Sequence, residues 1–278
     1  MHNAALTALG LNWRYLACEA KAESGKRKAE MGIARDRRRE STFDLLPLLL
    51  AIKMVDVLDE SARTWGAVNT IRFEARDEHG EWLPVGAFAQ SPAGEIRAHG
   101  FNTDAAALTQ SLRENLDLEP AGAKVLLPGA GGAGRTAALK LATEGVAELY
   151  LLNRTRAKAQ AVADEIRQRW PGVRVSLDCP AGAVDLALNA TSLGLRAEDA
   201  LPFDPEKFSL HCAAAAYDMI YRPAETPFLH AARAAGARAA NGLGMLLYQG
   251  AKALEIWTDQ PAPVAVMRRA LEANIYGN

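Results

Sequence analysis

Residues 124–155, KVLLPGAGGAGRTAALKLATEGVAELYLLNRT, constrain the fold more than any other stretch of this chain. Val125–Leu127 is a short apolar run typical of a buried strand, residues 135–144 contain strong helix formers, and Glu148–Leu152 is a second apolar run. The glycines between the first strand and the helix follow the pattern G-x-G-x-x-G with one addition; they are Gly129, Gly131, Gly132 and Gly134. A strand, a glycine turn, a helix and a second strand within about thirty residues are typical of a dinucleotide-binding unit.

Each glycine of this pattern has a physical role. The first allows a tight turn after the strand, the second lets the backbone approach a pyrophosphate, and the third lets the helix pack closely on the strand. The helix N-terminus also offers free N–H groups to the phosphates. An ordinary tight turn is the alternative, and the strand before and the helix after the glycines favour the cofactor.

The end of the second strand indicates which dinucleotide binds. About twenty residues after the glycines, the NAD pattern places an acidic residue that binds the ribose 2′-hydroxyl. This chain instead has Asn153, followed by cationic and hydroxyl side chains: Arg154, Thr155, Arg156 and Lys158. A guanidinium can hold a 2′-phosphate with two hydrogen bonds, and cations at a helix N-terminus are unfavourable without an anion. The stretch therefore predicts NADP rather than NAD, with a solvated helix start as the alternative.

Composition narrows the class of protein. The 278 residues suffice for one or two domains with a sizeable core, and no apolar run approaches the ~18 residues that a membrane span requires. A net charge of −1 argues against a nucleic-acid-binding protein. The cysteines show neither paired nor metal-binding spacing, and no secretory leader is recognisable; the cysteines are Cys18, Cys179 and Cys212. We expect a cytoplasmic protein without a metal, and a solvated or poorly packed segment over the basic residues 20–50.

Alternating strands and helices continue from residue 156 to the C-terminus, which predicts an α/β fold with a doubly wound parallel sheet. The strands before Lys124 are assigned to a second α/β domain. In that part we predict a helix over 2–9, a strand at Trp13–Cys18, and one helix from Ile52 through Ala62 that ends at Gly66. The predicted bounds are 1–102 with 242–278 for a substrate-binding domain and 103–241 for the cofactor domain. We expect the active site in the cleft, at the carboxyl ends of the strands.

Seven sequence blocks, taken together, resemble the shikimate dehydrogenase family. In order they are GAVNT at 66–70, FNTD at 101–104, PGAGGAGR at 128–135, NRT at 153–155, NATSLG at 189–194, YDMIYRPAETPFL at 217–229 and GLGMLLYQGAKALEIW at 242–257. The resemblance implies NADP-linked interconversion of 3-dehydroshikimate and shikimate, in aromatic amino-acid biosynthesis, by a monomer or homodimer. The only partner that it implies is a small-molecule substrate.

The resemblance also implies site residues. Those at the substrate would be Asn69, Asn102, Asp104, Tyr217 and Gln249, with Asp104 catalytic. Those at the adenosine end of the cofactor would be Asn153, Arg154, Thr155 and Lys158, and those near the ribose and nicotinamide would be Thr191, Ser192 and Gly242. Taken alone, Asp104 could instead cap a helix, Asn69 could be a turn residue, Tyr217 a core aromatic and Gln249 a surface amide.

The chain departs from the family pattern at two places. A Ser-x-Ser pair is expected before His2-Asn3, and an Asn-Val-Thr-x-Pro-x-Lys block is expected where the chain reads 43-FDLLPLLL-50, so that Leu48 takes the place of the catalytic lysine. Reduction of a ketone requires a proton as well as a hydride, and Lys53, about one helical turn further on, is the nearest lysine. Three interpretations follow: a working shikimate dehydrogenase, a related NADP-binding protein with impaired catalysis, or a quinate/shikimate dehydrogenase.

Overall fold

A computed structural model describes residues 1–10, 51–88, 90, 92 and 94–277. The predicted strand at 13–18 and the segment 20–50, including Leu48, lie outside the described residues. The chain divides into two compact units, Met1–Thr103 with Gly250–Asn278, and Asp104–Gln249. The domain bounds proposed above from the sequence stay a prediction.

The described residues of the first unit contain four strands in a mixed sheet of order β1-β4-β2-β3. Strand β4 pairs in parallel with β1 and antiparallel with β2, and β2 and β3 are antiparallel. The elements of the first unit up to residue 103 are α1 (His2–Ala8), β1 (Val57–Leu58), α2 (Glu60–Trp65), β2 (Thr70–Arg76), β3 (Trp82–Pro84), a 3₁₀ turn at Val85–Ala87, and β4 (Ile96–Phe101).

The prediction of one helix from Ile52 through Ala62 is wrong. Residues 51–54 are helical, but strand β1 follows and a new helix, α2, begins at Glu60. The interruption results from pairing, because Val57 and Leu58 lie opposite His99 and Gly100 of β4. Asp59 then starts α2 by accepting a hydrogen bond from the Ser61 N–H at 2.9 Å. Gly66 ends this helix in the left-handed conformation, as predicted, with φ +63°.

The second unit contains a six-stranded sheet of order β10-β9-β8-β5-β6-β7 in which all pairs are parallel. Its elements are α3 (Asp104–Leu116), β5 (Lys124–Pro128), α4 (Gly132–Thr143), β6 (Glu148–Leu152), α5 (Arg156–Arg169), β7 (Arg174–Ser176), β8 (Val184–Asn189), a 3₁₀ turn at Leu210–Cys212, β9 (Ala213–Asp218), α6 (Pro227–Ala234) and β10 (Arg238–Asn241). Helix α7 (Leu243–Thr258) begins in this unit and ends in the first, and α8 (Val264–Tyr276) belongs to the first. The predicted doubly wound parallel sheet is confirmed.

The two central strands of the parallel sheet are buried except at one residue each, Lys124 in β5 and Asp185 in β8. Leu126 and Leu127 of β5 and Leu186 and Leu188 of β8 are each 0% exposed. A parallel sheet covered on both faces requires such continuous apolar strands rather than alternating ones. Strand order reverses between β5 and β8, so the loops after these two strands flank the switch point at which α/β sheets of this order bind ligands.

In the described ranges, no helix combines the length and the apolar character that a membrane span requires.

Candidate cofactor and substrate site

The glycine loop, residues 129–134, comprises the turn after β5 and the first residues of α4, and two of its glycines are required by the fold itself. Gly129 has φ +112°, and a Cβ atom there would lie 2.5 Å from the Ala190 carbonyl oxygen. At Gly134, a Cβ atom would lie 2.1 Å from the Gly129 carbonyl oxygen. Because backbone atoms occupy both positions, any larger residue would force the loop, the helix and the segment after β8 apart.

Gly131 lies in different surroundings. It is the N-cap of α4, with φ −74° and ψ −166°, a conformation open to any residue. Among the described residues, nothing would lie within 4 Å of a Cβ atom at Gly131. Packing against that part of the chain therefore does not explain this glycine. A residue without a side chain at a helix N-terminus allows a phosphate group to approach the backbone closely. This is the role of the second glycine in the dinucleotide pattern.

Asn153 ties the glycine loop to the chain after β6. Its Oδ1 accepts a hydrogen bond from the Ala130 N–H at 3.0 Å, and its Nδ2 donates to the Thr155 carbonyl at 2.9 Å. The backbone makes the same connection, because the Gly129 N–H donates to the Leu152 carbonyl at 2.7 Å. The glycine loop and the predicted adenosine-binding segment are thus held side by side.

Two cations at the start of α5 have no partner within the described part of the chain. The side chains of Arg154 and Lys158 are exposed, and neither makes a hydrogen bond or an ion pair there. Arg156, between them, instead donates to Asp178 at 3.3 Å. The first turn of α5 contains no acidic residue, and Thr155, its N-cap, makes no side-chain capping bond. This helix start therefore presents two uncompensated positive charges next to the glycine loop.

The loop after β8 is built around the side chain of Asn189, which is 0% exposed. The Asn189 Oδ1 accepts from the N–H of Thr191 at 3.0 Å and from its hydroxyl at 2.7 Å. The Asn189 Nδ2 donates to the Leu193 carbonyl at 2.9 Å, and Ser192, between the two, is exposed. The contact between Gly129 and Ala190 places this loop against the glycine loop.

A buried carboxylate lies at the end of β9, beside Asn189. The Asp218 side chain is 0% exposed and accepts hydrogen bonds from Asn189 Nδ2 at 3.0 Å, the Ile220 N–H at 3.0 Å and the Thr226 hydroxyl at 2.7 Å. Burial raises the pKa of Asp218 to about 6, and these hydrogen bonds oppose the rise. Neither Asn189 nor Asp218 was predicted as a site residue, although they lie in the same blocks, NATSLG and YDM, as the predicted residues Thr191 and Tyr217.

Tyr217 and Gly242 are held within the second unit. Tyr217 is 0% exposed, its hydroxyl lies 2.9 Å from Ser111 Oγ, and burial raises its pKa. The Ser111 hydroxyl also accepts from Asn115 Nδ2 at 2.9 Å. A Cβ atom at Gly242 would lie 2.2 Å from the Met219 carbonyl oxygen, so the chain itself requires this glycine. The surroundings of Tyr217 are those of a core aromatic, and its contact with substrate stays a prediction.

The two asparagines predicted in the first unit connect the start of β2 to the end of β4. Asn69 Oδ1 accepts from the Thr103 N–H at 2.9 Å, and Asn69 Nδ2 donates to Thr103 Oγ1 at 3.1 Å. Asn102 is buried, its N–H donates to Ser61 Oγ at 3.0 Å, and its Nδ2 donates to the Ala67 carbonyl at 3.2 Å. The structure thus brings Asn69 and Asn102 together around the segment that precedes α3.

The remaining predicted residues lie on helices. Asp104 is the first residue of α3, one position beyond an N-cap, and is partly buried. Gln249 lies in α7, where its Nε2 donates to the Leu246 carbonyl at 3.0 Å. Lys53 is exposed in the helical residues 51–54. Among the described residues, no group of three or more His, Cys, Asp or Glu side chains could hold a metal ion.

Comparison with known proteins identifies the family. The model of the shikimate / quinate 5-dehydrogenase family matches residues 111–178, and the model of the shikimate 5′-dehydrogenase C-terminal domain matches residues 242–272. A shikimate dehydrogenase (NADP(+)) of Methanopyrus kandleri is 34% identical over 98% of this chain and 89% of its own length. One of Moorella thermoacetica is 37% identical over 98% of this chain and 86% of its own length.

A solved structure supports the same family assignment as the relatives found by sequence. A crystal structure of a shikimate dehydrogenase in complex with NADP⁺ superposes with a TM-score of 0.71 at 28% identity, covering 99% of this chain and 89% of that one. Identity above 30% along nearly the whole chain, together with the two matching family models, shows that the chain belongs to the shikimate / quinate 5-dehydrogenase family.

Proposed function

We propose that this chain is an NADP-dependent shikimate dehydrogenase, an oxidoreductase that interconverts 3-dehydroshikimate and shikimate in aromatic amino-acid biosynthesis. One observation carries the proposal beyond family membership. In the glycine loop, Gly131 leaves the backbone at the start of α4 open to a ligand. Next to it lie two cations, Arg154 and Lys158, that have no partner in the described part of the chain. That combination fits a dinucleotide with an additional phosphate on its adenosine ribose.

The residues proposed to hold the cofactor follow its length. The N–H groups at the start of α4, around Gly131 and Gly132, would bind the pyrophosphate. Those proposed for the adenosine end are Asn153, Arg154, Thr155 and Lys158, and those proposed for the ribose and nicotinamide end are Thr191, Ser192 and Gly242. When bound, NADP would accept or supply the hydride of the reaction.

The substrate is proposed to be bound by amide and phenol groups, which suit a hydroxylated ring because each can donate and accept hydrogen bonds. These residues are Asn69, Asn102, Tyr217 and Gln249. Asp104 is proposed to take part in the proton transfer that accompanies hydride transfer, since a carboxylate within hydrogen-bond reach of the reacting oxygen can hold or move a proton. We propose that the chain acts in the cytoplasm as a monomer or homodimer, and its described cysteines, Cys179 and Cys212, are free thiols, as in reducing compartments.

Cofactor choice is tested by titrating NADPH and NADH into the protein and into single variants. Hydrogen bonds to a charged group contribute about 1.5–3 kcal/mol, so Arg154→Ala and Lys158→Ala should each weaken NADPH binding roughly 10- to 100-fold and leave NADH binding unchanged. Arg156→Ala is the matched control, because its side chain is paired with Asp178. Equal weakening of both cofactors by Arg154→Ala would contradict the proposed phosphate contact.

The reaction is tested by steady-state oxidation of shikimate with NADP, with quinate measured in parallel. A second variant restores the family's Asn-Val-Thr-x-Pro-x-Lys block over residues 42–48, so that a lysine replaces Leu48. Its turnover, compared with that of the unaltered chain, measures the effect of Leu48 on the reaction. Turnover of shikimate by the unaltered chain supports the proposal. NADPH binding without turnover, rescued in the restored variant, would instead identify a catalytically impaired relative.

A further inference from the structure

The Asp218 carboxylate is buried, and no described residue places a cation in an ion pair with it. Its two oxygens accept hydrogen bonds from three different places: the loop after β8 through Asn189, its own loop through the Ile220 N–H, and the start of α6 through Thr226. The Thr226 hydroxyl in turn accepts from the Leu229 N–H at 3.2 Å, which caps α6. Burying a carboxylate is costly, so its place at the carboxyl ends of β8 and β9 calls for a reason beyond packing.

Asp218 determines which way the Asn189 amide points. A carboxylate offers only acceptors to its neighbours when ionised, and the Leu193 carbonyl offers only an acceptor, so the Asn189 NH₂ group faces both. The opposite rotation of the amide would set an oxygen against two oxygens. The Asn189 Oδ1 is therefore directed at Thr191, where it fixes both the backbone N–H and the hydroxyl.

We propose that Asp218 is a positioning residue for the loop 190–194, acting through Asn189 to hold Thr191 and Ser192 in place for the ribose and nicotinamide end of a dinucleotide. This inference rests on the proposed function, which assigns Thr191 and Ser192 to that end of the cofactor. Asp218 itself does not touch the cofactor or the substrate in this role.

Two variants of Asp218 separate positioning from packing. Asp218→Asn keeps an acceptor oxygen at the position of Oδ1, which accepts the hydrogen bonds from Asn189 Nδ2 and the Ile220 N–H. Its NADPH affinity should therefore stay within about threefold of that of the unaltered chain. Asp218→Leu keeps the branching at Cγ but has no acceptor, and NADPH affinity should fall about tenfold. Thr109→Val is the matched control, because Thr109 is 2% exposed and its hydroxyl bonds only within α3.

The experiment measures NADPH binding by fluorescence and, without cofactor, amide hydrogen exchange of Thr191 and Leu193. Asp218→Leu and Asn189→Ala should each accelerate exchange at these amides about tenfold, and Asp218→Asn and Thr109→Val should not. Because Asp218 acts through Asn189, the double variant Asp218→Leu/Asn189→Ala should be no worse than Asn189→Ala alone. If Asp218→Leu does not fold, the inference is tested by the exchange rate of the Thr191 amide in Asn189→Ala.

Additive losses in the double variant, or unchanged exchange at Thr191 in Asn189→Ala, would overturn the inference. If the unaltered chain does not bind NADPH, the proposed function is wrong instead. The loop 190–194 would then have no dinucleotide to bind, whatever Asp218 does to its conformation. The exchange data, collected without cofactor, tell these two failures apart.

Discussion

Gly131→Ala and Gly134→Ala should fail in opposite ways, although the two glycines are three positions apart in one loop. At Gly134, the added methyl would lie 2.1 Å from the Gly129 oxygen and 2.6 Å from the Gly129 carbonyl carbon, so helix α4 and the loop must separate. At Gly131, the methyl would meet no atom of the described residues within 4 Å, and φ −74° with ψ −166° suits alanine. Gly134→Ala should therefore damage the fold, and Gly131→Ala should damage only cofactor binding.

The magnitudes follow from these distances. Overpacking a rigid site costs about 1–3 kcal/mol, and 1 kcal/mol shifts the Tm of a domain of 150–250 residues by about 2–4 °C. Gly134→Ala should thus lower the Tm of the cofactor-free protein by roughly 3–10 °C. Gly131→Ala lowers the entropy of the unfolded chain, which stabilises the fold, but alanine is a poorer N-cap residue than glycine, which destabilises it. The two effects are of similar size, so the Tm of this variant should stay within about 2 °C of that of the unaltered chain.

Two measurements on the same samples complete the test. Differential scanning calorimetry without cofactor gives the Tm values, and NADPH fluorescence titration gives the dissociation constants. Gly131→Ala should weaken NADPH binding at least about tenfold, because the methyl occupies space that the backbone leaves open at a helix N-terminus. If Gly131→Ala binds NADPH normally, the pyrophosphate does not lie on this loop; if it lowers the Tm as far as Gly134→Ala does, this glycine is structural.

Three further predictions concern other sites. Because burial raises the pKa of Asp218 from 3.8 to about 6, the stability that the neutral carboxyl contributes is complete only well below pH 4 and is lost as the pH rises through 6. The difference in urea-unfolding free energy between the unaltered chain and Asp218→Asn should therefore change by about 2 kcal/mol between pH 4 and 7, and a constant difference would refute this reasoning. Asp104→Asn should lower kcat roughly 10²- to 10⁴-fold in the shikimate assay, and Lys53→Ala should change it less than about threefold because Lys53 is exposed; abolition of activity by Lys53→Ala would assign the proton transfer to that lysine. Gly100→Ala should destabilise the first unit by about 1–3 kcal/mol in thermal unfolding, since a Cβ atom there would lie 2.9 Å from a methyl of Val68 and 3.1 Å from one of Val55. An unchanged Tm would show that these two valine side chains can move aside.

The second unit was predictable from sequence because its signals are local. Apolar runs such as Val125–Leu127, the helix formers of residues 135–144 and the spacing of the glycines are each signals within a short stretch of chain. Strand β1 was not predictable in this way. Val57 and Leu58 are apolar residues next to a helical segment, and only their pairing with β4, some forty residues later, makes them a strand. Non-local pairing overrides a local pattern when the strand is only two residues long.

The same distinction separates the two halves of the candidate site. On the cofactor side, the glycine loop, Asn153 and the loop after β8 follow parallel strands of one sheet, and parallel topology brings the ends of such strands to one edge. Their bonds to one another, such as Asn153 to Ala130, could not be deduced from residue types, because an amide can bond to almost any neighbour.

On the substrate side, Asn69 and Gln249 each have a hydrogen-bond partner inside their own unit, as core or turn residues would. An amide has two donor and two acceptor positions, so these bonds fix the direction of the side chain and still leave it able to bind a hydroxyl. Internal bonding of this kind is what a preorganised substrate contact requires, and it therefore does not distinguish a structural amide from a functional one. Only the effect of Asn69→Ala on the KM for shikimate, beside its effect on stability, makes that distinction.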